Sequence, residues 1–131
     1  MTTALPIARP GALPLGRVAA VLVAISAVVH VSQAGTASLG ELLMPVMALA
    51  CLPCAWHLWR SPTGAVWAMT AALDTGMLLV HATVMAGGGM AMHHSAAGPG
   101  TLVWAGLVLA GAQLALAAVA ALSAVSRATI S

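Results

Sequence analysis

The sequence predicts an all-α integral membrane protein, a four-helix bundle whose helices run up, down, up and down. Of its 131 residues, 62% are hydrophobic and only 5% are charged, and the mean hydropathy is +1.07. A soluble domain usually carries about 25% charged residues, so a water-soluble globule of this size is excluded. The lack of a basic patch also excludes a nucleic-acid-binding protein.

Four apolar runs predict the transmembrane helices, at residues 18–34, 39–59, 62–86 and 101–124. Each run is close to the ~20 residues that cross a bilayer as a helix. None alternates apolar and polar residues with a period of two, so no strand competes with the helices. The remaining segments are predicted to be a cytoplasmic tail, an outer loop rich in Met and His, and a second cytoplasmic tail, at residues 1–17, 87–100 and 125–131.

Glycine and proline mark two of the helix ends. Ser61 followed by Pro62 is typical of an N-cap with proline at the first helical position, which predicts the start of the third helix there. Three consecutive glycines at 87–89 predict where that helix ends, because glycine disfavours a helix interior.

The arginines predict the orientation. With four spans, all four cations of this lysine-free chain fall on one side of the membrane, at Arg9, Arg17, Arg60 and Arg127. Cytoplasmic segments are enriched in Arg and Lys, so both termini are expected in the cytoplasm. The Ala-, Gly- and Val-rich composition is typical of a high-GC bacterium, and the expected location is the bacterial inner membrane.

The first 34 residues have an alternative interpretation as a signal peptide. A basic start, an apolar stretch and small residues at Ser32 and Ala34 are compatible with cleavage after Ala34. Cleavage would leave three spans and would remove His30. A histidine inside the apolar stretch is unusual for a signal peptide, which favours a retained first helix.

The outer loop contains a possible metal-capture motif. Within five residues it carries two thioethers and two imidazoles, on Met90, Met92, His93 and His94. These soft-to-borderline ligands suit copper, and a thioether binds without losing a proton. An ordinary flexible loop is the alternative. The pattern therefore predicts copper binding on the extracytoplasmic side.

A second group of Met and His residues is predicted to lie just below that loop. At 1.5 Å per residue, His30, His81 and Met44 fall in one layer about 6–8 Å below the outer boundary of the membrane. Met47 and Met85 bracket this layer. Helical spacing gives the depth of these side chains but not the direction in which each one points.

The third helix carries a stripe of polar and thioether side chains. Asp74, Met77, His81 and Met85 follow the spacing of one helix face, so we expect this face to point into the bundle. An ionisable group at mid-membrane, such as Asp74, is costly and is a functional hypothesis by default. Asp74 is expected to be protonated or to pair with His81 or Gln113, and a structural hydrogen bond between helices is the alternative to a functional role.

Cys51 and Cys54 form a CxxC motif inside the second helix. Such a pair can act in redox chemistry or bind a soft metal. Four-helix thiol oxidases that pass electrons to quinone use a CxxC motif, but Cys51 lies about 18 Å below the outer start of its span. No second cysteine pair exists to relay oxidation. Buried small side chains are the simplest interpretation, and metal transfer the next.

Tryptophan and small residues predict contacts with the membrane and between helices. Trp56, Trp59, Trp67 and Trp104 are expected at the membrane interfaces, where Trp is enriched. In the fourth helix, small residues four apart are expected to allow close packing, at Gly106/Ala110, Gly111/Ala115 and Ala117/Ala121.

Three functions remain open from the sequence. The first is copper binding, with capture by the loop and holding or relay by His30, Met44, His81 and Met85; Asp74, Cys51 and Cys54 are further possible ligands. The second is a b-type haem protein in which His30 and His81 are axial ligands across the bundle. The third is an accessory subunit that packs against a membrane-protein partner, or against its own copies, through Ala/Gly-rich faces. The sequence contains no nucleotide-binding loop and no nucleophile–base motif, so no motif indicates an enzyme.

Overall fold

The computed structural model of the protein describes residues 12–36, 39–88 and 100–129. In these residues the regular secondary structure is helical throughout: α1 (Ala12–Ser32), α2 (Leu39–Arg60), α3 (Gly64–Gly88) and α4 (Thr101–Ala128). Each helix contains a stretch that is long and apolar enough to cross a membrane. For the described residues, the prediction of an all-α protein with four helices able to cross a membrane is confirmed, as expected of a multi-pass membrane protein.

Each helix packs against two neighbours. Both α1 and α3 lie against α2 and α4, whereas the backbones of α1 and α3 do not approach each other, nor do those of α2 and α4. Helices α1 and α3 therefore face each other across the centre of the bundle. Side chains from these two helices meet at the bundle axis.

One face of every helix points inward. The buried positions recur every three or four residues, which is the spacing of one helix face. They include Gly16, Ala19, Val23, Ser26 and His30 on α1, Ala48, Cys51, Cys54 and Leu58 on α2, Trp67, Thr70, Asp74, Met77 and His81 on α3, and Gly106, Ala110, Gln113 and Ala117 on α4. The large aliphatic side chains, such as Val28, Leu49 and Leu122, are exposed on the outside, where lipid would solvate them.

The interior is unusually polar. The buried polar side chains of the described residues are Ser26, His30, Thr70, Asp74, His81 and Gln113. In a bilayer, polar groups are most costly on the lipid-facing surface, so they gather inside the bundle. The stripe predicted on the third helix is confirmed for Asp74, Met77 and His81. It is wrong for Met85, which is 39% exposed.

Two helix starts differ from the predictions. Helix α1 begins at Ala12, so Arg17 lies inside the helix instead of before it. Proline is tolerated in a first helical turn, and a long arginine side chain can extend to water from a helix that has entered the membrane. Helix α3 begins at Gly64 because Thr63 caps it: the Val66 amide donates to Thr63 Oγ1 at 3.4 Å. Ser61 is not the cap.

Only some of the small residues predicted to allow close packing of the fourth helix face the bundle interior. Gly106 and Ala110 are buried, as is Ala117. Gly111, Ala115 and Ala121 face outward. The expectation for Trp67 is also wrong, since its ring is buried in the core, whereas Trp56, Trp59 and Trp104 are about half exposed, as expected for interfacial anchors.

Candidate functional site

Two histidines meet at the bundle axis. His30 lies two residues before the end of α1, and His81 lies seven residues before the end of α3. Their ring centroids are 5.9 Å apart, and the ring planes are tilted by 30°. Both side chains are buried, with 1% and 8% of their surface exposed. The sequence predicted that these two residues lie at the same depth, and in the structure their side chains also point towards each other.

Met77 completes this group. Its Sδ atom lies 3.4 Å from His30 Nε2, so a thioether and an imidazole from opposite helices are in direct contact. Met77 precedes His81 by one helical turn and is buried on the same face of α3. We refer to His30, Met77 and His81 as the His–Met group. Sequence reasoning placed Met77 on the stripe but not among the ligands of the layer, although its i, i+4 spacing to His81 was a usable signal.

The tautomer of His81 is fixed by a backbone hydrogen bond. His81 Nδ1 lies 2.8 Å from the carbonyl oxygen of Met77. A carbonyl oxygen only accepts, so Nδ1 is the donor and Nε2 carries the free lone pair. A histidine that binds a metal through one nitrogen commonly donates from the other to a carbonyl, which orients the ring. His81 has this arrangement without any metal being required to hold it.

The free nitrogen of His81 faces α4. A Cβ atom placed on Gly106 would lie 3.6 Å from His81 Nε2. Any larger side chain at this position would cover the lone pair. Gly106 therefore keeps the second turn of α4 open opposite the nitrogen that is able to bind a ligand.

His30 has a buried nitrogen without a partner. Its Nδ1 atom makes no hydrogen bond, and the side chain is 99% removed from solvent. Burial of an unpaired polar atom is costly in a protein interior. Because the ring also contacts the Met77 sulfur instead of a strong acceptor, neither nitrogen of His30 has a good partner. Such an imidazole has hydrogen-bonding and ligating capacity that its protein neighbours do not use.

The other predicted methionine ligands of the helices are less deeply buried than Met77. Met44 and Met47 on α2 are half-buried, and Met85 faces outward. The thioether in contact with His30 is that of Met77, which was not among the ligands predicted for this layer. The loop residues Met90, Met92, His93 and His94 lie outside the described residues.

A small cavity lies next to the His–Met group. Its volume of about 10 Å³ is close to the space that one water molecule needs. Its lining is mostly polar or sulfur-containing and includes Cys51, Cys54, Thr70, Asp74, Met77 and Gln113. Met77 therefore borders both this cavity and His30.

Asp74 and Gln113 leave unpaired atoms in this region. Asp74 Oδ2 and Gln113 Nε2 are buried and make no hydrogen bond, so these two atoms do not form the direct pairing that the sequence suggested. A carboxylate or carboxylic acid and an amide that line one water-sized cavity can be bridged by a water molecule. The cavity gives both groups a way to satisfy their hydrogen-bonding capacity.

Cys51 and Cys54 are both buried and not joined by a disulfide. They line the same cavity as Asp74. Within residues 12–36, 39–88 and 100–129, however, no three His, Cys, Asp or Glu side chains are grouped closely enough to hold a metal ion. The two thiols and the Asp74 carboxyl group are thus neighbours without forming a three-donor metal site. The His–Met group has two imidazoles and takes its third donor from a thioether.

Comparison of the chain with protein-family models, with curated proteins and with solved structures finds no match.

Proposed function

We propose that this protein binds copper(I) inside the membrane, through the two imidazoles and the thioether of the His–Met group, in order to hold or relay the metal. The observation that carries the proposal is the contact of His30 Nε2 with Met77 Sδ at 3.4 Å beside a second, pre-oriented imidazole. Nitrogen and thioether ligands together favour copper(I) over the hard cations.

The neutrality of the donors in the His–Met group also favours a monovalent ion. Imidazole and thioether donors are neutral, so a bound ion keeps its full charge in a medium of low dielectric constant. The cost of burying an ion rises steeply with its charge, which makes copper(I) easier to accommodate than a divalent metal. This is the physical reason for choosing copper(I) over zinc.

We further propose that the helices alternate in direction and that the termini lie in the cytoplasm of a bacterial cell. Two sets of contacts support the alternation. Near one end, His30 and His81 bring the ends of α1 and α3 together with Gly106, near the start of α4. Towards the other end, Gly16 of α1 lies against Leu58 of α2 and Pro62.

In this orientation the segment that joins α3 to α4 would lie on the outer side of the membrane. Helix α3 ends at Gly88, seven residues after His81, and α4 begins at Thr101, five residues before Gly106. Copper captured by Met90, Met92, His93 and His94 would then have a short path to His81. The chain would act as a small copper-handling protein of the inner membrane.

A b-type haem is the second candidate. The two imidazoles lie across the bundle at a centroid separation of 5.9 Å, which is compatible with two axial ligands. Met77, however, fills the space beside His30, and a porphyrin would have to displace it. An absorption spectrum of the purified protein distinguishes the two, because only haem gives an intense Soret band.

The test of copper binding compares two methionines of one helix. Met77→Leu removes the thioether of the His–Met group, whereas Met69→Leu changes a methionine that is 41% exposed on the outside of α3. Copper(I) affinity is measured by competition with a chelator. We expect a loss of about tenfold or more for Met77→Leu, in the range typical of damaged metal sites, and no change for Met69→Leu.

A third variant separates the loop from the interior. Replacement of Met90, Met92, His93 and His94 together should slow copper uptake but leave one ion per chain bound at equilibrium. Copper lost with the loop but retained in a His30→Ala/His81→Ala variant would reject the proposed site. A purified protein with neither copper nor haem, but with a stoichiometric partner, would indicate the accessory subunit instead.

A further inference from the structure

Two arginines stack on two tryptophans near the opposite end of the bundle. The Arg60 guanidinium carbon lies 4.3 Å from the centroid of the Trp56 ring, and that of Arg17 lies 5.5 Å from the Trp59 ring. All four side chains are exposed. We refer to these four residues, which come from the first turns of α1 and the last turns of α2, as the Arg–Trp patch.

Stacking on a ring positions each guanidinium without using its hydrogen-bond donors. Both guanidinium carbons lie over an indole ring within cation–π distance. The N–H groups of a guanidinium that lies flat on a ring point sideways, in its own plane. The donors therefore remain available at the edge, in the fork that fits two oxygen atoms of a phosphate. The tryptophans also restrict the rotamers of both arginines before any ligand binds.

The protein supplies no carboxylate side chain to neutralise this patch. The chain has only two acidic side chains, Glu41 and Asp74. Glu41 lies in the first turn of α2, which is about 28 Å along the helix from Arg60. Asp74 is buried at the middle of α3. Neither is placed to pair with Arg17 or Arg60, so neither carboxylate competes with an external anion for these two guanidinium groups.

We propose that the Arg–Trp patch is a binding site for the phosphate headgroup of an anionic phospholipid. The exposed tryptophan rings would lie at the level of the headgroups, where Trp is enriched in membrane proteins. The two guanidinium groups would then meet the phosphates of the surrounding leaflet. Basic residues at the ends of transmembrane helices are attracted to anionic lipids in this way.

A lipid phosphate fits this patch better than a soluble one. The surface beside the patch is apolar, since Leu52 and Leu49 on the same helix are exposed to the membrane, so acyl chains would add contacts that a free phosphate lacks. The proposal does not depend on copper binding, because the patch lies at the far end of α2 from the His–Met group.

The test is native mass spectrometry of the detergent-purified full chain. The protein is mixed with phosphatidylglycerol or with phosphatidylcholine of the same acyl chains, and, in a third arm, with inorganic phosphate. We expect the wild type to retain phosphatidylglycerol in clear excess over phosphatidylcholine. Arg17→Gln/Arg60→Gln should reduce this excess by roughly fivefold for each arginine lost.

A charge-matched variant tests the role of the guanidinium fork. Arg17→Lys/Arg60→Lys keeps both charges but loses the planar donors and the stacking, so it should retain an intermediate excess. Equal retention of the two lipids by the wild type would overturn the proposal. Displacement of phosphatidylglycerol by equimolar inorganic phosphate would overturn it as well, because the site would then be a general phosphate site.

Discussion

At the scale of single residues, the orientation of His81 is decided by two backbone features. The carbonyl of Met77 accepts from Nδ1, and Gly106 places no side chain against Nε2, where a Cβ atom would lie 3.6 Å away. The first fixes which nitrogen has the lone pair, and the second keeps that lone pair reachable from α4. Without these two backbone features, His81 could adopt either tautomer, and a side chain of α4 could cover its lone pair.

Gly106→Ala tests this arrangement directly. The added methyl group would lie 3.6 Å from His81 Nε2, an ordinary contact that the fold tolerates but that covers the lone pair. We expect copper(I) affinity to fall by about tenfold, as for a disturbed second shell. The matched control is Gly111→Ala on the same helix, where the methyl group meets no atom within 4 Å. Equal affinities in both variants would contradict a role for Gly106.

The sequence could predict which residues share a depth but not which share a direction. The rise of an α-helix places His30 and His81 at one level, and the structure brings them together. Met77 and Met85 follow the same stripe, so the spacing alone does not choose between them. In the structure Met77 is buried, whereas Met85, one turn nearer the end of α3 than His81, is 39% exposed.

At the scale of the helices, the close approach of α1 and α2 depends on Gly16. A Cβ atom at this position would lie 2.7 Å from the backbone oxygen of Leu58 and 2.7 Å from Pro62 Cβ. Neither group is the flexible end of a side chain, so one of the helices would have to move. Small residues at such crossings are the usual means of packing helices closely in membranes.

Gly16→Ala should therefore destabilise the bundle. Overpacking of this kind costs about 1–3 kcal/mol. The control is Gly76→Ala in the middle of α3, where nothing lies within 4 Å of the new methyl group. That change should be neutral or should stabilise by up to about 1 kcal/mol, because alanine favours a helix. Thermal unfolding in detergent, followed by circular dichroism, measures both; a Gly16→Ala protein as stable as the Gly76→Ala protein would exclude the close approach.

Helix ends were predicted less well than helix existence. Composition and length alone indicate four apolar helices, because the bilayer demands about 20 apolar residues for each. The ends depend on single hydrogen bonds, such as that of Val66 to Thr63, which compete with equally plausible caps nearby. The end of α4 is a second example, because the helix continues to Ala128, beyond the predicted residue 124. Ser123 and Ser126 are accommodated in this last part of the helix by donating to carbonyl oxygens one turn earlier.

At the scale of the whole molecule, the polar groups are sorted by the membrane. Large aliphatic side chains cover the outside, and histidine, aspartate, glutamine and two thiols lie inside. The hydrophobic effect does not distinguish the inside of such a bundle from lipid, so small residues and polar contacts hold the helices together. The same sorting places two histidines, two cysteines, Asp74 and Met77 in the interior, whereas Met85 remains 39% exposed.

The topology is tested with reporters fused to the full chain. A reporter that is active only outside the cytoplasm should be active when it is inserted after Gly89. A reporter that is active only in the cytoplasm should be active at either terminus. This follows from four spans with all arginines on one side. The terminal fusions are the internal control for the loop fusion. A cytoplasmic loop would place the Met/His motif on the wrong side for metal capture.

The most direct measurement of the central claim is the copper K-edge X-ray absorption spectrum of the copper(I)-loaded protein. A variant without Met90, Met92, His93 and His94 removes the contribution of the loop. We expect a first shell of two nitrogen atoms and one sulfur atom, with the sulfur lost in Met77→Leu. A shell of sulfur atoms alone that is unchanged in Met77→Leu would place the copper at Cys51 and Cys54 and would contradict binding by the His–Met group.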